Sequence, residues 1–336
     1  MFIAKKKESV DLVKADVAVK TAVYVCPGCE GEVQVKQGTI NTPHFSHVTL
    51  RDCQSLAEGE SSDHLLGKLQ LADFFESIGG TVELEVWLPE IKQRPDLVVT
   101  FDNVKIAVEF QCASITAQRV SERTRGFESL GMDVVWVLGP TYQQKKLQQA
   151  TWAKFARIRG GRLQVAFWHA KGNRVEWQEW WRLDCRNRVN AHNVGDAHRQ
   201  LLKLQQLVTQ RSEVSRRWQK RLYRLGRSLV GMPWVCHRLK AMPGGARTAQ
   251  WELSLAVLLA LEDGPQTKTR LHEVLSKQVW FEFGATQQDD AIGLWLDRLL
   301  AEWGATNVIM QRDDMVWLKR VTEWYPDYQH KLAVLD

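Results

Sequence analysis

The chain has 336 residues, a formal net charge of +6, a mean hydropathy of −0.32, and 44% hydrophobic against 25% charged residues. That length suits two or three folded domains and argues against disorder, while six irregularly placed cysteines argue against a disulfide framework. Its longest apolar stretch, residues 253–261, is too short to span a bilayer, and residues 1–8 lead into no secretory run, so a cytoplasmic setting without membrane contact is expected.

Four regions follow in chain order: a β-rich lobe (1–57), a core (58–142), a mixed segment (143–246) and a helical module (247–336). In the lobe, residues 21–53 read as short strands separated by turn signals. Cys26-Pro-Gly-Cys29 and His44-Phe-Ser-His47 are two ligand pairs with the chemistry of tetrahedral zinc, and Cys53 is an alternative ligand. A lobe this small lacks core, so the expected Zn²⁺ is structural. A metal-free lobe is the bland alternative. A redox role for Cys26 and Cys29 lacks the strand–helix context it needs.

The core predicts a helix over 61–77 that stops at Gly79-Gly80, then strands over 82–88, 94–101 and 104–111. A second helix starts near Ser114, and a strand over 133–138 closes the region. Asp102-Asn103 suits a two-residue type I′ turn, which pairs Phe101 with Val104, Val99 with Ile106 and Leu97 with Val108. One face then carries Leu97, Val99, Phe101, Val104, Ile106, Val108 and Phe110, and a slip of one residue would destroy that agreement.

The same register sets Asp96 opposite Glu109, with Gln111 two residues on. Opposed residues have Cβ atoms about 4.5–5.5 Å apart, so two carboxylates there must share a proton or hold a cation. Mg²⁺ or Mn²⁺ takes such oxygen ligands and activates water. On the preceding helix Glu60, His64 and Lys68 form one stripe. Glu60 would add a ligand, His64 would serve proton transfer or phosphate contact, and Lys68 would stabilise developing charge. Ordinary surface charges are the competing reading of that stripe.

Asp96 followed by Glu109-x-Gln111 on the next strand resembles the Asp…(Asp/Glu)-x-Lys signature of the restriction-endonuclease-like superfamily, whose core has the same helix, three strands, helix, strand order. Gln111 stands where the common pattern has Lys. More narrowly, YVCPGC, PHFSH, GESSDH with Lys68, QRPD, IAVEFQCAS and VVWVLG, in that order over residues 24–142, resemble the competence protein CoiA family. That resemblance implies an α/β, nuclease-like core and a role in DNA uptake or recombination.

Beyond the core, a helix is expected over 142–157, a hairpin over 163–169 and 174–181, and a long helical stretch over 196–230. Within it Arg216, Arg217, Lys220, Arg221 and Arg224 flank an apolar stripe of Trp218, Leu222, Leu225 and Leu229, a pattern suited to phosphate contact. Arg119 and Arg123 on the second core helix offer a smaller basic face. Residues 247–319 read as three helices and a ribbon, the order of a winged-helix-like module, with an acidic third helix that suits a protein partner as well as DNA. The expectation is a metal-dependent deoxyribonuclease acting on DNA, single-stranded or branched forms included. Its rival is a non-cleaving DNA-binding scaffold that recruits recombination proteins.

Overall fold

Short alternating strands account for the first part of the chain. The computed structural model describes residues 1–8, 11–38, 42–49, 62–143, 147–182, 194–237 and 240–335. In it β1 (Ile3–Lys6), β2 (Leu12–Lys14), β3 (Tyr24–Val25), β4 (Glu32–Lys36) and β5 (His44–His47) form an antiparallel sheet in the order β2-β1-β3-β4-β5. Alternation turns Ala4, Tyr24, Val33 and Phe45 into a small core that also holds Met1, Ala15, Ala18 and Cys26. Cys53 and Glu60 lie outside the described residues.

The core follows. Helix α1 (Ser62–Ser77) is followed by Gly79 at φ +92°, a conformation that glycine takes without strain. Next come β6 (Thr81–Leu84), β7 (Leu97–Phe101), β8 (Val104–Gln111), α2 (Ala117–Ser129) and β9 (Asp133–Leu138). β6, β7 and β8 are antiparallel neighbours, and β9 lies parallel to β8. The β7–β8 register pairs Leu97 with Val108, Val99 with Ile106 and Phe101 with Val104, as the alternation demands. The turn departs from expectation: Asp102 has φ +50°, and Asn103 does not share the positive φ that a type I′ turn requires of both residues. Val104, at the open end of the hairpin, is exposed.

Leu97, Val99, Val108 and Phe110 pack with Leu71 and Ala72 of α1. The opposite face is buried as well: Trp136 of β9, level with Glu109, donates to Thr124 of α2. The sheet is therefore covered on both sides. Beyond it lie α3 (Pro140–Gln143) and α4 (Gln149–Phe155), two short helices where one over 142–157 was expected. β10 (Arg157–Arg159) leads to β11 (Arg162–His169) and β12 (Arg174–Glu179), the expected hairpin, with β11 parallel to β9.

By its internal packing the chain divides into one unit of Met1–Arg157, Gln164–Glu179 and Glu282–Thr286, and a second of Ile158–Leu163, Trp180–Phe281 and Gln287–Asp336. The second contains β13 (Trp181–Arg182), α5 (Val194–Thr209), α6 (Glu213–Tyr223) and β14 (Met242–Pro243). The helical stretch expected over 196–230 is broken, because Arg211 takes φ +50° and the Ser212 hydroxyl caps a new helix by accepting from Ser215 N. α6 ends before Leu225, which is consequently exposed, whereas Trp218, Leu222 and Leu229 are buried.

Then follow α7 (Gln250–Glu262), β15 (Gln266–Thr267), α8 (Lys268–Ser276), α9 (Gln288–Ala305), β16 (Ile309–Arg312), β17 (Met315–Leu318) and α10 (Tyr328–Leu332). The small sheet runs β15-β17-β16. Trp295 and Trp303 are core residues, and Trp295 donates to the buried Gln250 amide at 2.6 Å. No helix among the described residues is long and apolar enough to cross a membrane.

Candidate active site and candidate metal centre

Two local features bring the acidic residues and the first helix together. Gly67 lets α1 lie against Phe110: a Cβ there would fall 2.0 Å from Phe110 Cε1. His64, one turn earlier, stacks on the same ring, with centroids 5.8 Å apart and planes 6° apart. That close approach carries His64 and Lys68 to the start of β7. Asp96, one residue ahead of the Leu97–Val108 pair, comes level with Glu109, and Phe110 N donates to Asp96 Oδ2 at 2.8 Å.

Each carboxylate has its own cations. Asp96 Oδ2 lies 3.3 Å from His64 Nε2, and Oδ1 lies 3.6 Å from the fully buried Lys68 ammonium. Burial pushes the Asp96 acid up, but His64, Lys68 and the Phe110 amide outweigh it and hold the carboxyl well below its usual range. Glu109, only 5% exposed, takes both Nε (3.2 Å) and Nη2 of Arg123. Burial raises Glu109 to about 7 against the pull of Arg123, and the Asp96 charge adds to the rise. Arg123 also donates to the Arg94 carbonyl at 2.9 Å, so it turns inward and is not the phosphate contact expected of it. Arg119 stays near the surface, 3.5 Å from Glu122. Gln111 is buried, and its amide donates to Ala113 O at 2.8 Å.

Glu85 escaped the sequence reading. It is 3% exposed, follows β6 at φ +52°, and accepts from Lys68 Nζ at 2.5 Å and from Phe2 N at 2.7 Å. Ile3 N (3.3 Å) and Arg94 Nη1 (3.9 Å) also lie against its carboxylate. A charged residue ending a short strand carries no periodic signal, so only the fold exposes its role. The donor chemistry of Asp96 and Glu109, paired hard oxygens, fits Mg²⁺ or Mn²⁺.

The second site is in the lobe. Glu30, at φ +57°, and the bonds Cys26 N to Gly31 O (2.8 Å) and Glu30 N to Cys26 O (2.9 Å) wrap the Cys-x-x-Cys segment into a knuckle. The ligand atoms of Cys26, Cys29 and His47 lie within 4.8 Å of one another, so this cluster can hold a metal such as zinc. Among the described residues it is the one group of three such donors. Burial, then Arg94, lowers the His47 pKa, which favours the neutral, metal-binding imidazole. Gly31 keeps the space open, since a Cβ there would fall 3.2 Å from Cys29 Sγ and 3.5 Å from the His47 ring.

His44 does not join this group, and its Nδ1 lies instead 2.9 Å from Thr42 O. The reason is strand geometry: in β5, residues three apart project from opposite faces. On α6 and at its C-cap, Arg216, Arg217, Lys220, Arg221 and Arg224 are all exposed, and Arg217 also pairs with Glu252 at 2.6 Å.

The comparisons with known proteins fall on the stretch that carries both sites. Residues 8–56 match the family model of the competence protein CoiA N-terminal domain, and residues 60–169 match that of the CoiA nuclease-like domain. The carboxylate site thus lies in a nuclease-like domain. Competence protein CoiA of Bacillus subtilis (strain 168) is 36% identical over 121 residues, which make up 36% of this chain. The match covers 32% of that relative's length. Over this stretch the matches support the competence protein CoiA family. No solved structure matches it.

Proposed function

We propose that the chain is a metal-dependent deoxyribonuclease of restriction-endonuclease-like fold, acting in the cytoplasm in DNA processing or recombination. The observation that carries this reading is the pairing of Asp96 and Glu109 at one end of a doubly covered sheet, with Lys68 delivered to Asp96 from a helix. The order α1, three antiparallel strands, α2 and a parallel β9 supports it. Mg²⁺ or Mn²⁺ held by Asp96 and Glu109, with Glu60 as a further ligand, would supply Lewis acidity and an activated water. The chain's own residues do the rest. Asp96 enters the reaction ionised, Lys68 stabilises charge that develops on the phosphate, and the Gln111 amide orients the attacking water. His64, at the rim, moves a proton or meets the phosphate.

Zinc on Cys26, Cys29 and His47 would stabilise the lobe. Arg216 and Lys220 of α6 and Arg224 at its C-cap lie four residues apart on one exposed stripe and, with Arg217 and Arg221, would track a DNA backbone; Arg119 of α2 would add a separate phosphate contact. The helix–strand–helix–helix–hairpin order from α7 to β17 supports a winged-helix-like module. The acidic residues that open α9, Asp289 and Asp290, suit a protein partner there.

The test is cleavage of labelled single-stranded, double-stranded and branched DNA with Mn²⁺ or Mg²⁺. Wild type should cut, and Asp96→Asn and Glu109→Ala should not; equal cutting by all three refutes the assignment. One observation favours a non-cleaving, DNA-binding scaffold as the second reading: Gln111 is bonded to its own chain where the common motif has a lysine. Mn²⁺-dependent thermal stabilisation that vanishes in Asp96→Asn, without cleavage by wild type, would select it.

A further inference from the structure

We infer that Glu85 is a positioning residue for Lys68: it divides the lysine ammonium between itself and Asp96, and so leaves the Asp96 carboxylate open to a divalent cation. The inference rests on the reading that Asp96 and Glu109 hold such a cation. Lys68 Nζ lies 2.5 Å from Glu85 Oε1 but 3.6 Å from Asp96 Oδ1, so the nearer counter-charge is the one outside the acidic pair. Neither Lys68 nor Glu85 has solvent to fall back on, with side chains 0% and 1% exposed. A buried ammonium that lost one carboxylate would lean on the other, because charge in such surroundings stays close to an opposite charge.

The place of Glu85 is fixed from three directions. Its amide donates to Asp96 O at 3.0 Å, which ties its backbone to the residue whose side chain it relieves. Phe2 N and Ile3 N hold its second oxygen, and the Phe2 ring covers Lys68, 5.3 Å from Nζ. Its own backbone sits at φ +52°, where residues with a Cβ are strained, and strain of this kind collects where a side chain must point one way. Glycine or asparagine would turn the chain there more easily. What they lack is a carboxylate that reaches Lys68.

The test titrates Mn²⁺ into the zinc-loaded full chain, followed by calorimetry and by the free-Mn²⁺ electron paramagnetic resonance signal. Binding that is lost in Asp96→Asn defines the site. Glu85→Gln should weaken that binding about tenfold, within the range found for contacting residues in a double-mutant cycle. Glu85→Asp, which keeps the charge, should stay within about threefold of wild type. Lys68→Met should bind Mn²⁺ at least as well as wild type, and Lys68→Met/Glu85→Gln should match Lys68→Met, since without the ammonium there is nothing to hold away.

Wild-type affinity in Glu85→Gln overturns the inference, and so does a double variant as weak as Glu85→Gln, the mark of a merely structural residue. Both results leave the proposed nuclease reading standing. Absence of Asp96-dependent Mn²⁺ binding in wild type overturns both. If Glu85→Gln does not fold, Lys68→Met/Glu85→Gln is compared with Lys68→Met alone: equal affinity supports the inference, and further loss overturns it.

Discussion

Arg123→Gln isolates the buried ion pair that holds Glu109 in the candidate active site. The guanidinium reaches both oxygens of Glu109 and the Arg94 carbonyl, and the two side chains are 14% and 6% exposed. An exposed pair would contribute about 0–1 kcal/mol, whereas removing one partner of a buried pair costs about 3–5 kcal/mol, because the other charge stays behind uncompensated. Asp96 is a near and ionised neighbour and Glu109 sits at about 7 even beside Arg123, so the full loss is expected at alkaline pH, where Glu109 gives up its proton. A body the size of the first unit should lose on the order of 10 °C in melting temperature. Differential scanning calorimetry of zinc-loaded protein, with and without Mn²⁺, reads the effect. Mn²⁺ should recover part of the loss, because a cation between Asp96 and Glu109 replaces the charge that was removed. A variant that melts within about 2 °C of wild type without Mn²⁺ refutes the buried-pair energetics. An equal loss in both conditions refutes the claim that Glu109 faces the cation.

Other consequences follow from single contacts. His47→Ala, Cys26→Ser and Cys29→Ser should each lower bound zinc per chain, measured by elemental mass spectrometry, whereas His44→Ala should leave it unchanged. Gly67→Ala should destabilise the core by about 1–3 kcal/mol in urea unfolding, because the new methyl meets the Phe110 ring. Glu109 is raised from 4.5 to about 7, so the folded chain holds a proton there that the unfolded chain gives up. That contribution is whole below pH 4.5 and lost as pH rises through about 7. Glu109→Gln should therefore gain about 1–3 kcal/mol on wild type across that window, and parallel pH profiles would contradict it. Replacing Arg216, Lys220 and Arg224 by alanine should weaken binding to duplex DNA and flatten the dependence of log K on log salt by up to about 2.7.

How much of this was legible depends on how local the cause is. The β7–β8 register followed from alternation alone, since a one-residue slip would have moved every apolar side chain to the wrong face. Burial of the other face was not legible. A period of two says which residues share a side, and it took α2, with Thr124 on Trp136 and Arg123 on Glu109, to cover the side that holds the acids. His44 was misjudged because Cys and His spacing was read without the strand that carries it. The break at Arg211 was hidden inside an amphipathic pattern that continues on either side of it. Glu85 depends on contacts with Phe2 and Ile3, 83 and 82 residues away, which no pattern in its own neighbourhood encodes.

Among the described residues the charges of the candidate site nearly cancel before any divalent ion is considered, and that bears on the glutamine at 111. Asp96, Glu109 and Glu85 supply three buried or half-buried carboxylates, and Lys68, Arg123 and Arg94 answer them. A lysine at 111 would add a fourth cation on the strand that carries Glu109, whose oxygens already accept from Arg123. In the proposed mechanism the charge that must meet the phosphate is better held on Lys68. It arrives from α1, is fixed by Glu85, and reaches Asp96 without competing for Glu109. The departure of Gln111 from the common motif then follows from where this fold already keeps its positive charge. On that reasoning Gln111→Lys should not raise the cutting rate. Lys68→Met should lower it even where Mn²⁺ binds as well as in wild type, and a Lys68→Met chain that cuts at the wild-type rate would refute the assignment of that charge.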